Sequence, residues 1–205
     1  MSLKEKLKTF RAWPLSAQVI TIIIPVFIIL VVTSILLFGP DFSFISDHMS
    51  TLGAQGANPQ GFVYFDVACI ITGILLVPYF LGLRRWRTED RILNFSIYII
   101  MGIGFIACFG IIMQAIYRAD FWPAHFYYSA IHWVADVFLL LIAPIALLRA
   151  KKFYRPIIVV GLIATVFNVY YIATWGKDAW IEWITAISTL LFAVLIGANM
   201  VKEKL

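Results

Sequence analysis

The chain has 205 residues, of which 62% are hydrophobic and only 13% charged, and its mean hydropathy is +0.93. A soluble globular domain carries about 45–50% apolar and about 25% charged residues, so that class is excluded. Sixteen Lys and Arg against eleven Asp and Glu leave the chain basic, and two cysteines outside any C-x-x-C pair exclude a disulfide scaffold and a thiol redox centre.

In chain order, the basic residues Lys4, Lys6, Lys8 and Arg11 precede an apolar run over 14–38. That run exceeds a signal-peptide core, and no small-residue cleavage site precedes Phe38-Gly39-Pro40, so it reads as an uncleaved transmembrane helix. Residues 39–60 are rich in Gly, Pro, Asn and Ser, the residues of turns. They also hold Phe42, Phe44, Ile45, Met49 and Leu52, which predict a loop folded over the mouth of a bundle rather than a disordered one. Five further apolar stretches follow, over 61–83, 93–117, 126–148, 156–173 and 179–200, and each is read as a span against the roughly 20 residues a helix needs to cross hydrocarbon.

Six spans put both termini on one side. Fourteen of the sixteen bases fall there, and the other side keeps only Arg118 and Lys177. This asymmetry predicts cytoplasmic termini and a multi-pass protein of the cell membrane. Basic clusters beside spans set topology and attract anionic headgroups, so membrane lipids are the expected partners and nucleic acid is not. The predicted fold class is all-α: one domain, a six transmembrane helix bundle.

Ionisable and amide side chains inside spans are costly and call for a function or a buried partner. The candidates gather toward the acidic end: Asp66 in the second span, Gln114 and Arg118 closing the third, His132 and Asp136 in the fourth, Asn168, Tyr171 and Trp175 in the fifth, and Glu182 opening the sixth. Helical spacing aligns His125, Ser129, His132 and Asp136 on one stripe, Ala107, Gly110, Gln114 and Arg118 on another, and Gly161, Thr165, Asn168, Tyr171 and Trp175 on a third. Seven acids stand against two bases on that side. The expectation is an outward-facing, acid-lined polar cavity that binds a cation or a lipid headgroup, with Gln114, Arg118, Asn168, Tyr171 and Glu182 among its ligand-binding residues.

Two kinds of chemistry suit these residues. His48, His125 and His132 are side chains zinc accepts, and His132 and Asp136 at i, i+4 have the spacing to share an ion. With Asp66 and Asp136 as catalytic carboxylates, a zinc-bound water would attack a lipid ester or amide. Ser129 with His132 and Asp136 has the composition of a nucleophilic triad. The alternatives are a proton-coupled transporter and a packing role, in which His132 hydrogen-bonds Asp136 and Asp66 pairs with Arg118. Gly73, Gly102, Gly104 and Gly110 predict close helix approach. No lysine lies within a span, and no Walker loop, dinucleotide motif or T-V-G-Y-G filter occurs, which excludes retinal attachment, nucleotide-driven transport, hydride transfer and potassium-type selectivity.

The run Ile45-Ser46-Asp47-His48-Met49-Ser50-Thr51-Leu52-Gly53, followed by Asn58-Pro59 and a helix beginning Gly61-Phe62, resembles the S-x-L-G…N-P signature of domain-of-unknown-function family 998. The resemblance implies a six-helix prokaryotic membrane protein, distantly similar to eukaryotic DRAM-type membrane proteins, and a polar fourth helix containing His fits it. It implies no agreed activity. A looser similarity runs to seven-helix membrane hydrolases that include alkaline ceramidases, from which this chain departs in its six predicted spans and its lack of H-x-x-x-H.

Overall fold

The computed structural model describes every residue except Met1 and Trp175, so the predicted place of Trp175 on a polar stripe lies outside the described residues. These residues form seven α-helices: α1 (Leu3–Arg11), α2 (Leu15–Phe38), α3 (Phe62–Gly82), α4 (Arg91–Ile116), α5 (Ala124–Leu147), α6 (Ile157–Ala173) and α7 (Ala179–Lys202). Short 3₁₀ turns cover Met49–Gly53 and Leu83–Trp86, and no strand occurs among the described residues.

Five of the helices, α2 to α5 and α7, are long and apolar enough to cross a membrane. The sixth, α6, is equally apolar but has 17 residues, which rise only about 26 Å against a hydrocarbon core of about 30 Å. Large apolar side chains cover the outside of the bundle; Leu36, Val166, Ile29 and Phe95 are each at least 63% exposed. In water such a surface would aggregate, and in lipid it is solvated.

α1 was not among the predicted elements, although its signal is in the sequence. Ser2-x-x-Glu5 is a capping box: Glu5 N–H donates to Ser2 Oγ and Ser2 N–H to the Glu5 carboxylate at 2.6 Å. The helix carries Lys4, Lys6, Lys8 and Arg11 beside the first span. At the other end of α2, Gly39 takes φ +95°, a left-handed conformation that stops the helix before Pro40.

Each long helix packs on its neighbours in the chain, and α7 returns to α2, so the six form a closed ring. Short connections dictate antiparallel neighbours, and small residues set how closely they approach. A Cβ at Gly110 would stand 2.8–2.9 Å from the His132 backbone, so α4 lies directly against α5 there. Gly73 meets Ile111 and Ile112, and Gly104 meets the Phe80 ring. Gly102 corrects the packing expectation: nothing lies within 4 Å of its Cβ position, because it faces away from every neighbouring helix.

The apolar core has two parts. One, toward the basic end, joins Tyr79, Leu83, Trp86, Leu93, Ile97, Leu140 and Met200. The other, toward the acidic end, joins Val31, Met49, Leu52, Phe65 and Trp183, and so includes residues of the 39–60 loop.

Candidate functional site

The loop over 39–60 is held by its own polar side chains and by three helices. Asp47 accepts from Ser43 N–H at 2.8 Å, and Ser43 Oγ accepts from Ile45 and Ser46 N–H, which closes a tight local turn. Trp183 Nε1 on α7 donates to the Asp47 carbonyl at 3.0 Å, and Phe42 and Phe44 set their edges against the Trp183 ring. Further along, Asn58 is fully buried. Its amide donates to Ser34 O, Ser34 Oγ and Leu52 O, and its carbonyl accepts from Gly61 N–H. A Cβ at Gly61 would collide with that amide and with the Ser34 carbonyl. Asp120, from the α4–α5 connection, accepts from Gln55 and Gly56 N–H.

Beneath this cap lies a cleft of about 1130 Å³, counted to its open mouth. Its walls come from α3, α4, α5 and α7, with Phe27 from α2 and Met49 and Ser50 from the cap. On α3 the lining runs from Phe65 to Leu83, a helical distance of about 27 Å. The cleft therefore extends over most of the membrane-crossing length. Most of its lining side chains are apolar, among them Leu76, Ile100, Leu140, Ala143 and Ile196. Ser50, Gln114, His125, His132, Asp136 and Glu182 gather toward the capped end, and no Lys or Arg lines it.

The polar end has an unusual hydrogen-bond inventory. His132 and Asp136 are 8% and 4% exposed, yet their closest approach, Nε2 to Oδ2, is 3.8 Å, beyond hydrogen-bond range. His132 Nδ1 has no hydrogen-bond partner among the described residues. The hydrogen bond predicted within this pair is thus not made, because at i, i+4 the short Asp side chain stops short of the ring. Glu182, 4% exposed in the first turn of α7, instead meets His48 of the cap, Nδ1 to carboxylate, at 3.1 Å. That hydrogen bond raises the His48 pKa above its ordinary 6.5; burial opposes it, and the charges of Glu182 and Asp47 reinforce it. His125 Nδ1 lies 3.0 Å from Gln114 O and 2.8 Å from Tyr117 O. Both are carbonyl acceptors, so Nδ1 is the donor in these contacts.

The structure therefore brings Gln114, His125, His132, Asp136 and Glu182 to one cleft, with His48 hydrogen-bonded to its rim. Ser129 is not part of the lining. Asp66 packs against Gly53 of the cap, and Arg118 lies over the Phe62 and Phe121 rings, 4.7 and 5.2 Å from their centroids, with no ion pair to Asp66 among the described residues. Asn168 and Tyr171 do not line the cleft. Asn168 donates to Ala164 O and Thr189 Oγ1, while Tyr171 packs on Trp133. The polar stripe on α6 serves contacts with both α5 and α7.

His48 bonds Glu182, His125 bonds two backbone carbonyls, and His132 stands 3.8 Å from Asp136, so the three histidines do not converge. Among the described residues no group of three His, Cys, Asp or Glu side chains is placed to hold one metal ion. The residues that sequence reasoning passed over are the apolar walls: Phe65, Cys69, Thr72, Leu76, Tyr79 and Leu83 recur at helical spacing on one face of α3. In a span that is apolar all round, such a face has no contrast against its background.

Apolar spans in a closed ring define a polytopic helical membrane protein. The chain belongs to the family described as Protein of unknown function (DUF998), whose profile matches residues 21–202. No curated protein and no solved structure gives a significant match.

Proposed function

We propose that this protein binds one amphiphile of the membrane, a lipid or lipid-like molecule. Its polar headgroup sits among His132, Asp136 and Glu182, and its alkyl chain lies along the apolar cleft. The observation that carries this reading is the cleft's polarity: a long apolar slot with its ionisable groups gathered toward one end. A free ion or a polar solute would leave most of that slot unsatisfied, whereas an alkyl chain gains about 0.8 kcal/mol per buried CH₂ relative to water. Two carboxylates without a lysine or arginine favour a cationic or hydrogen-bond-donating headgroup. His132 Nδ1, without a partner, and Asp136, held only at 3.8 Å, are the groups left to meet it. Buried polar atoms of this kind are seldom left unmatched.

In the same reading the bundle has six spans, with α6 crossing where the bilayer thins. Both termini lie in the cytoplasm and the cap faces outward across the cell membrane, following the basic loops. Reporter fusions after residue 205 and within 150–155 test this orientation; activity of a periplasm-dependent reporter at either point would reverse it.

Binding of single-chain amphiphiles with cationic, zwitterionic and anionic headgroups to the detergent-purified protein tests the ligand. The cationic probe should bind most tightly, and Asp136→Asn with Glu182→Gln should weaken it at least about tenfold while leaving the anionic probe unaffected. Equal binding of all three probes, unchanged in the double variant, would refute the reading.

A further inference from the structure

At the basic end of the bundle, away from the amphiphile cleft, a second cleft of about 1080 Å³, counted to its open mouth, lies between the α3–α4 and α5–α6 connections. Five bases line it: Arg85 and Arg87 from the first connection, Arg149, Lys151 and Lys152 from the second. Only Glu89 and Asp90 oppose them among the lining side chains.

The cleft is built rather than merely charged. Thr88 N–H donates to Asn94 Oδ1 and the Asn94 amide returns to Thr88 O at 2.7 Å, while Asp90 N–H donates to Thr88 Oγ1. Asp90 in turn caps α4 through Ile92 and Leu93 N–H and holds Arg149 Nε at 2.8 Å, which ties the two connections together. Arg87 lies over the Tyr98 ring, and Lys152 donates to the Glu203 carbonyl. Arg85 and Lys151 form no ion pair among the described residues, and both are exposed.

One wall is Trp86, 2% exposed and fixed by its edge against Phe153 of the opposite connection. Its indole Nε1–H has no acceptor among the described residues. Buried N–H groups without an acceptor are uncommon in folded proteins. Trp86 lines the same cleft as Arg85 and Lys151, and a ring N–H with cations at the end of apolar helices is a donor set a phosphate oxygen takes.

We infer that the cleft between residues 85–90 and 149–152 is a phosphate-binding site, in which Arg85, Lys151 and Trp86 Nε1 hold the anion. Membrane phospholipid and a soluble phosphate share this chemistry. The site is independent of the amphiphile cleft, since no lining residue is common to both.

The test is titration of the detergent-purified full chain with dihexanoyl phosphatidic acid and, separately, with inorganic phosphate. Saturable binding of the lipid alone assigns the site to a phospholipid headgroup, and comparable binding of both assigns it to a free phosphate group; either supports the inference. Arg85→Gln with Lys151→Gln should weaken binding at least about tenfold, and Trp86→Phe, which keeps the ring and removes the donor, several-fold. Unchanged thermal unfolding midpoints show that the variants fold. No saturable binding of either probe, or binding undiminished in both folded variants, overturns the inference.

Discussion

His48 links the cap to the helix bundle through one hydrogen bond to Glu182, and its raised pKa makes that link sensitive to pH. Folding tightens its hold on a proton, so the stabilisation is fully present below about 6.5 and is lost as pH rises through the higher folded value. Thermal unfolding in detergent should therefore show a midpoint that falls as pH rises above 6.5 through the raised folded value, and His48→Gln should flatten that fall; a parallel pH profile in the variant would dismiss the link. Asn58 acts through four hydrogen bonds rather than charge. Asn58→Ala leaves the Ser34 and Leu52 acceptors and the Gly61 donor unmatched, and should cost about 2 kcal/mol in a reversible unfolding assay. The S-x-L-G…N-P run was legible as a pattern, and the structure gives it a mechanical meaning: Leu52 is buried, Gly53 lets Phe65 and Asp66 approach, and Asn58 locks α2 to α3.

Elements were legible where hydropathy changes sharply along the chain. The five longest helices fall within a few residues of their predicted spans, because charged loops bracket them. α1 was missed because its nine residues are too polar to stand out by hydropathy, and only its capping box marks it. Stripes of polar residues were readable, but their partners were not. His125, His132 and Asp136 of the α5 stripe line the cleft, whereas the α6 stripe is spent on contacts with α5 and α7, and nothing in either spacing separates the two fates. Helix contact is easier to test. Gly110→Leu would push α4 away from the His132 backbone and should cost about 1–3 kcal/mol, with loss of bound amphiphile. Gly102→Ala, with open space at its Cβ, should be neutral or stabilise by about 0.5–1 kcal/mol through helix propensity. Equal destabilisation by both would remove the assigned helix contact.

At the scale of the whole molecule, charge and polarity divide the bundle into two ends. The basic end gathers the α1, α3–α4 and α5–α6 segments, and the acidic end carries the ordered cap. Between them lies a cleft whose ionisable side chains gather toward the capped end and whose remaining lining is mostly apolar. The reason is geometric: the ionisable residues occupy only a turn or two of each helix, and the remaining turns that face inward are Leu, Ile, Phe and Ala. Ring order was not readable from connectivity, and closure of α7 on α2 is what makes an interior at all. The most direct test of the amphiphile reading is native mass spectrometry of the purified protein beside Ala143→Phe, which fills the slot, and Val159→Phe, on the exposed face of α6. The account predicts one bound amphiphile on the parent and on Val159→Phe and none on Ala143→Phe. Equal retention by all three, or no bound species on a folded parent, would contradict it.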